Sequence, residues 1–371
     1  MPFDITSYEM GRQAGGGGGS PVEVAPLSVT ENGTYAAPSG KAYSPVTVNV
    51  SGGGDVDYVA EIFNKTLSGS YYNANILTVP SNAFSMCNNL TSVNLPAATS
   101  IGASAFYSCE ALAFFEAPEV AMIESSAFYL CGFSSVSFPK ATNIANGAFY
   151  VCHALTRVVA PSVVSVGNNA FDGCTSLSDI DFPLLKSVGN GAFARCPISE
   201  AVLPEATSIG TYAFQSCSSL QVASLPKATY MGGGAFRYCY NMSRIFAPSI
   251  TAINSQTFYQ NSALTNVDLT NVSFIGSYAF QSCVGLSSIS FPSATTIYAA
   301  AFMSCYNLTA LYLMNSSVAK LGASNAFYST PIGGYSAVAG QYGSIFVPAS
   351  LYDSYRAATN WSYFADKFVS V

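Results

Sequence analysis

The apolar residues of this chain recur in one pattern, and each copy of the pattern contains one Phe. These Phe residues stand at 84, 106, 128, 149, 171, 193, 214, 236, 258, 280, 302 and 327. Ala precedes every one of them except Phe258, and the spacing is 21 or 22 residues until the last step of 25. A fixed period of this length predicts a solenoid, in which each coil packs only against its neighbours.

The repeated unit reads Pro-x-Ala-Thr-x-Ile-Gly-x-x-Ala-Phe-x-x-Cys-x-x-Leu-x-x-Val-x-Phe, as in residues 204–225. Its Leu-x-x-Leu-x-Leu spacing predicts a leucine-rich-repeat solenoid of about twelve coils, each with a short parallel β-strand. The recurring Phe is expected in the core, and the recurring Pro is expected to end the strand, because it cannot donate to a ladder. The recurring Gly, as at Gly102, Gly210 and Gly276, is expected at a turn that needs a positive φ.

Glycine runs and changes of pattern divide the chain into five parts. We predict an attachment peptide and linker at 1–20, a small β module and linker at 21–54, an N-terminal cap at 55–75, the solenoid at 76–330, and a helical C-terminal cap at 331–371. A short helix is expected around 58–65. The β module is predicted from alternating residues and from the Asn32-Gly33 turn signal.

Composition narrows the possible functions. Only 9% of the residues are charged, and the net charge is −6. Thirteen scattered Lys and Arg residues argue against nucleic-acid binding, which needs clustered basic side chains. No apolar run reaches the roughly 20 residues of a membrane helix, and no secretion signal is visible at the N-terminus. We therefore expect no nucleic-acid partner and no membrane insertion.

Ten cysteines occupy one equivalent position, three residues after the Phe, and Asn261 replaces the cysteine in the ninth coil. They form a single column, so we expect buried free thiols that act as small apolar residues. No Cys-x-x-Cys pair indicates a metal site. His153 is the only histidine and lies at a variable position, and no nucleophile elbow is present. The chain is therefore predicted not to be an enzyme and to hold no metal or cofactor.

The segment after each repeated Leu alternates, so two side chains per coil are expected to face outward. These positions mix charged, hydroxyl and aromatic residues, as the extended binding faces of repeat proteins do. Asp179 and Asp181 share one such strand and could also suit a cation or a carboxylate pair. The candidate ligand-binding residues are Phe114, Glu116, Arg157, Asp179, Asp181, Glu200, Arg244, Phe246, Asp268 and Tyr312.

A second stripe follows the Phe directly, with Tyr at 107, 129, 150, 259 and 328. Tyrosines at a regular site are expected to pack against their neighbours in the next coil, and sugar stacking is the alternative.

The repeat closely resembles the BspA-type (Treponema-type) leucine-rich repeats of bacterial surface proteins over residues 76–330. The segment from Ile345 to Asp366 resembles the usual end of such arrays. The resemblance implies adhesion to host proteins, cells or glycans, without shared catalytic residues. The front end, in the stretches 7–12 and 27–50, resembles tail-associated proteins of phages and prophages.

Together these features favour a non-enzymatic recognition protein, a phage or prophage tail component that binds a bacterial surface protein or glycan. Residues 1–50 would contact other virion proteins, and a homotrimer is possible because fibres are often trimeric. Such a protein is made in the host cytoplasm and ends in the virion. The alternative is a bacterial cell-surface or secreted adhesin that binds a host protein or glycan, and a glycan-cleaving enzyme is the least favoured class.

Overall fold

A computed structural model describes residues 65, 67–334 and 342–371, together with the backbone of two short strands, β1 (Gly33–Tyr35) and β2 (Val46–Val48). These two strands pair antiparallel, with Thr34 opposite Thr47, inside the predicted β module. The predicted attachment peptide at 1–20 lies outside the described residues, as do most of 21–54 and the helix expected around 58–65. At Lys65 the φ angle is 58°, which is left-handed and not helical.

The described chain is a parallel-strand solenoid of about 13 turns, with coils about 22 residues apart. Each coil contributes one strand to each of two lines. The front strands are β3 (Ser68–Tyr72), β5 (Asn89–Asn94), β7 (Phe114–Glu116), β9 (Ser135–Ser137), β11 (Arg157–Val159), β13 (Asp179–Asp181), β15 (Glu200–Val202), β17 (Val222–Ser224), β19 (Arg244–Phe246), β21 (Asn266–Asp268), β23 (Ser288–Ser290), β25 (Ala310–Tyr312) and β27 (Ser344–Val347).

The back strands are only two residues long, and they alternate with the front strands along the chain. They are β4 (Thr78–Val79), β6 (Ser100–Ile101), β8 (Met122–Ile123), β10 (Asn143–Ile144), β12 (Ser165–Val166), β14 (Ser187–Val188), β16 (Ser208–Ile209), β18 (Tyr230–Met231), β20 (Ala252–Ile253), β22 (Phe274–Ile275), β24 (Thr296–Ile297) and β26 (Lys320–Leu321). The leucine-rich-repeat prediction is confirmed. The extra turn beyond the expected twelve arises because β3 already pairs with β5 in parallel.

The predicted Phe column fills the core between the two lines of strands. Phe171, Phe193 and Phe214 are fully buried, and their rings stack with centroids 5.3 and 5.4 Å apart. Adjacent parallel strands lie about 4.8 Å apart, so identical rings in successive coils come into stacking contact. Burial of one such ring stabilises the fold by roughly 2–3 kcal/mol. The repeated Phe therefore holds successive coils together.

The cysteine column runs beside the Phe column, and all ten thiols are free and buried. From Cys109 onward each thiol donates to the carbonyl oxygen of the Phe in the preceding coil, for example to Phe84 at 3.0 Å and, from Cys131, to Phe106 at 3.1 Å. Burial raises the pKa of the Cys109 and Cys305 thiols to about 12. The prediction of a buried thiol ladder is confirmed.

The expected reason for the recurring Gly is wrong. Gly102, Gly210 and Gly276 do not have a positive φ. They lie instead where the backbones of two coils touch, because a Cβ on Gly210 would stand 2.5 Å from the carbonyl carbon of Gly189. Glycine is required there because there is no room for a side chain between the coils.

Positive φ angles occur two residues after that Gly and again two residues after the Phe, mostly at residues other than glycine. In one coil these positions are Ser104, with φ 54°, and Ser108, with φ 53°. The amides of Ser104, Phe106 and Ser108 all donate to carbonyls of the next coil, at 2.7–2.9 Å. The left-handed residues therefore aim alternate N–H groups along the solenoid axis, which satisfies the buried backbone of the turn.

The C-terminal end is closed by a compact cap. Strand β28 (Phe368–Ser370) pairs in parallel with β27, and the only α-helix among the described residues, α1 (Tyr352–Ala357), has six residues. Short 3₁₀ helices cover Ser324–Phe327, Ala349–Leu351 and Trp361–Phe364. The buried indole of Trp361 donates to the carbonyl of Ala319 at 2.6 Å, and its ring lies 6.0 Å from that of Phe327. Trp361 therefore covers the last ring of the Phe column.

Candidate ligand-binding face

The outward side chains of the front strands form two parallel rows, which we call the front face. In β7, β9 and β23 the burial pattern is exposed, buried, exposed, so the alternation expected from the sequence is present. The parallel register keeps equivalent residues side by side in neighbouring coils, as with Arg157 opposite both Ser135 and Asp179. The face is an extended array with one step per coil.

All ten candidate binding residues lie on the front face. Phe114 is 51% exposed, and Tyr312 is 36% exposed. Phe246 and Asp268 are half-buried, and the remaining six are exposed. The structure therefore gives these residues a common surface, and their role in binding stays a prediction.

The middle of the front face carries an ion pair. The guanidinium Nε of Arg157 lies 3.2 Å from Asp179 Oδ2, on the neighbouring strand, and both side chains are more than half exposed. Such exposed pairs contribute between zero and about 1 kcal/mol to stability. Asp179 is thus paired with a positively charged side chain of the protein itself, the guanidinium of Arg157. Within the described ranges, no group of three or more His, Cys, Asp or Glu side chains could hold a metal ion.

Two other side chains of the face are also held in place from a neighbouring coil or strand. The amide of Asn94 donates to Glu116 Oε2 at 2.9 Å, which fixes the carboxylate beside the exposed ring of Phe114. At the opposite end, the Tyr312 and Phe346 rings stack with centroids 4.5 Å apart and planes 11° apart. Aromatic and Arg side chains held in this way are typical of binding hot spots.

Phe346 also belongs to the front face, although it is not among the residues predicted from the sequence. The Phe spacing lengthens at its last step, and Ser344–Val347 falls in the predicted cap. The register shows that Phe346 continues the outward row, since it pairs with Tyr312 and with Val369. Tyr72, 65% exposed and opposite Asn94, extends the same row at the other end. The alternation of inward and outward residues in Ile345-Phe346-Val347 is the sequence pattern from which this position could have been predicted.

The tyrosines that directly follow the repeated Phe pack against one another over three coils, as expected. Tyr129 lies between Tyr107 and Tyr150, with ring centroids 4.5 and 5.2 Å away and nearly parallel planes. Burial and the neighbouring tyrosines raise the pKa of Tyr129. These rings cover one another's faces, so the stripe contributes to coil packing.

Further along, polar pairs replace the ring stack. The Arg195 Nε lies 2.9 Å from Asp172 Oδ1, and the guanidinium of Arg237 lies over the rings of Tyr238 and Tyr259, at 4.5 and 5.0 Å. The pKa of Arg195 is raised, chiefly by its hydrogen bond to Asp172.

His153 is exposed, and its Nδ1 lies 3.3 Å from the hydroxyl of Thr175.

None of the described helices has the length and apolar character needed to cross a bilayer.

Comparison with known protein families gives one match. A family model described as the BspA type leucine rich repeat region matches in six copies, over residues 77–183, 142–265 and 229–336. These ranges coincide with the coils that carry the Phe and Cys columns. No curated protein matches the chain significantly.

Solved structures include several similar leucine-rich-repeat proteins. One from Bacteroides ovatus is 20% identical over 93% of this chain and 99% of its own, with a TM-score of 0.51. The leucine-rich repeat protein of T. pallidum is 31% identical over 43% of this chain and 80% of its own, with a TM-score of 0.40. A leucine rich cell surface protein of Faecalibacterium prausnitzii is 20% identical over 90% of this chain and 88% of its own, also with a TM-score of 0.40. The first of these likenesses supports the fold.

Proposed function

The chain belongs to the BspA-type leucine-rich-repeat proteins, and on that premise we propose that it is a non-enzymatic adhesin of the bacterial cell surface. Its front face would hold a partner macromolecule, either a host protein or a glycan. The observation that carries the proposal is the contrast between kept and varied positions within one chain. Inward positions repeat the same residue types from coil to coil, whereas the outward positions of the front strands do not.

The varied positions collect the residue types that recognition uses. Front-face residues include the charges Glu116, Arg157, Asp179, Asp181, Glu200, Arg244 and Asp268 and the aromatic residues Tyr72, Phe114, Phe246, Tyr312 and Phe346. Only 9% of the residues are charged, and these seven charged residues lie together on one surface. Arg and aromatic side chains dominate the binding energy of protein interfaces. The rigid solenoid fixes their relative positions before the partner arrives, which reduces the entropy lost on binding.

The alternative favoured by the sequence, a phage or prophage tail component, depends on the stretches 7–12 and 27–50. Apart from β1 and β2, these residues lie outside the described part of the chain, and the family match supports the surface adhesin instead. Contacts with other virion proteins and a trimeric state remain predictions of that alternative. Location separates the two. Protease treatment of intact producer cells should remove an adhesin, whereas an immunoblot of purified phage particles should detect a tail component.

A charge-balanced pair of variants tests the role of the front face. The first replaces Arg157, Asp179, Glu200 and Arg244 by Ser. The second replaces two exposed ion pairs beyond the front strands, Glu119 with Lys140 and Glu205 with Lys227, also by Ser. Each variant removes two positive and two negative charges and leaves the net charge at −6.

Binding of the labelled full chain to intact epithelial and bacterial cells is the measurement. We expect the front-face variant to lose about tenfold or more in affinity, because truncation of a hot-spot residue costs about 2 kcal/mol or more and about 1.4 kcal/mol corresponds to a tenfold change. The ion-pair variant should bind like the original chain. Equal binding of both variants would rule out the four charged residues as the adhesive contact, and no binding of the original chain to any of these cells would contradict the adhesin function.

A further inference from the structure

The C-terminal end of the front face contains an aromatic stack that is open on one side. Tyr312 on β25 and Phe346 on β27 are register partners, and their rings stack at 4.5 Å, close to the spacing of about 4.8 Å between adjacent strands. The two rings are therefore stacked on each other along the solenoid axis, and Phe346 covers one face of the Tyr312 ring. Val369 is the register partner of Phe346 on its other side.

The opposite face of the Tyr312 ring is directed toward β23, a strand without a large outward side chain. Its register partner there is Ser290, and both outward residues of β23, Ser288 and Ser290, are exposed. A flat guest on a ring lies about 3.5–4 Å from it, which is nearly one coil spacing. Such a guest would lie above Ser290 and continue the stack of Phe346 and Tyr312 by one step.

Polar groups line the floor and the far side of this space. Ser288 and Ser290 provide hydroxyl groups, and the next coil provides the amide of Asn266 and the carboxylate of Asp268 on β21. Asp268 forms no ion pair with a described Lys or Arg. No ladder joins β21 to β23 in the described sheets, and the front line has the same break between β7 and β9 and between β13 and β15. We call the space bounded by Asn266, Asp268, Ser288, Ser290 and Tyr312 the Tyr312 slot.

We propose that the Tyr312 slot binds one pyranose ring of an uncharged oligosaccharide, which specifies the ligand class within the adhesin function proposed above and rests on it. The apolar face of the sugar ring packs on Tyr312, and its hydroxyl groups donate to Asp268 and exchange hydrogen bonds with Asn266 and the two serines. One apolar platform with a few convergent polar groups is the usual composition of a small-ligand site.

The charge of the chain determines which sugars fit. The slot contains one carboxylate and no basic side chain, and the whole chain carries a net charge of −6. A sialylated or uronic-acid sugar would place a like charge beside Asp268, so neutral hexose and N-acetylhexosamine units are favoured. A peptide finds less to bind here, because the slot offers one ring face and no enclosed apolar pocket for an anchor side chain.

Titration calorimetry of the full chain tests the proposal with four tetrasaccharides: cellotetraose, chitotetraose, mannotetraose and the acidic hyaluronan tetrasaccharide. Binding of at least one neutral tetrasaccharide is expected. Ser290→Tyr should weaken it about tenfold or more, because the new ring occupies the place of the sugar while Tyr312 and its packing stay intact. Tyr312→Ala should weaken it about tenfold through loss of the stacking surface, and Tyr312→Phe should retain it.

Ser137→Tyr is the matched control, since it puts the same ring at the equivalent outward position of β9, and it should leave oligosaccharide binding unchanged. The proposal is overturned if no neutral tetrasaccharide binds, if only the hyaluronan tetrasaccharide binds, or if Ser290→Tyr binds as the original chain does. Loss of cell binding in the Arg157, Asp179, Glu200 and Arg244 variant, with no tetrasaccharide bound, would reject the sugar slot and leave the adhesin function standing. Unchanged cell binding in that variant would reject the four charged residues as the adhesive contact whatever the calorimetry gives.

Discussion

The front and back strands share one backbone plan but differ in their outward chemistry. Strands of both lines pair in parallel with strands of neighbouring coils, and both lines bury an apolar residue, as Val158 and Val166 show on β11 and β12. The first residues of the back strands, all at least partly exposed except the buried Ser100, are Thr78, Ser100, Met122, Asn143, Ser165, Ser187, Ser208, Tyr230, Ala252, Phe274, Thr296 and Lys320. Only the last of these is charged, whereas the front face carries seven charged residues.

From this difference we predict that the fold does not require the charges of the front face. The same coils form the back line with outward residues that are uncharged except for Lys320. We therefore expect the charges at front positions to have a role other than folding.

Alkaline pH should produce the largest effect, because it ionises the thiol column that lies behind both lines. The folded pKa of Cys305, about 12, lies above its ordinary value of 9.0 because of burial. A raised pKa means that the stabilisation is complete below pH 9 and is lost as the pH rises toward 12. In that range each thiol with such a raised pKa lowers the free energy of unfolding by about 1.4 kcal/mol per pH unit. Circular dichroism should show cooperative unfolding above pH 9.

Labelling with iodoacetamide is the companion measurement for the thiols. At pH 8 the native chain should stay unmodified, because buried neutral thiols are unreactive, and all ten should react in urea. Labelling of native thiols at pH 8, or an unchanged spectrum at pH 11, would contradict the buried ladder.

Truncating the Phe column should rank second. Phe193→Ala leaves a cavity between Phe171 and Phe214 and is expected to destabilise the chain by about 3–5 kcal/mol, measured by urea denaturation. Val202→Ala, at an outward front position that is 56% exposed, is the control and should change stability by less than about 0.5 kcal/mol. A loss below about 1 kcal/mol for Phe193→Ala would mean that the column is not a continuous core.

The contact between coils on the back side should rank third. Gly189→Ala would place a Cβ 2.5 Å from the carbonyl carbon of Gly167, and the backbone shift is expected to cost about 1–3 kcal/mol in urea denaturation. Gly233→Ala is the comparison, because the nearest atom to its Cβ is the carbonyl oxygen of Ser255 at 3.1 Å. If both substitutions cost the same, close approach is not the reason for the recurring Gly.

The smallest effect on stability is expected for the ion pair that distinguishes the front line. Arg157→Ser should change the free energy of unfolding by less than about 1 kcal/mol, since both partners are exposed. Met122→Ser, at an exposed outward position of the back line, should be equally mild. A large loss for Arg157→Ser alone would show that the front charges are part of the folding requirement.

The repeat made most of the fold predictable. The spacing of Phe, Cys and Leu in one chain identified the coils, the inward columns and the outward rows, because each copy serves as an alignment of the others. The identity of the kept Gly was visible but its cause was not, since contact between coils depends on distances that sequence spacing does not give.

The site was predictable only where the period holds. Phe114 and Tyr312 follow from the alternation inside regular coils. Phe346 escaped because it lies after an irregular stretch where the spacing is lost. The stacking of Tyr312 on Phe346 and the open ring face toward Ser290 depend on side-chain packing between coils, which no pattern within one coil records.

The hydrogen bonds between coils have one further consequence. Every regular coil offers the same donors to one neighbour and the same acceptors to the other, down to the thiol that reaches the Phe carbonyl behind it. Excising residues 204–225 would bring Pro226 to the place of Pro204 and leave matched edges on both sides. We therefore expect an array that is longer or shorter by whole coils to keep the same fold, and each such change would alter the distances between the front-face residues on its two sides.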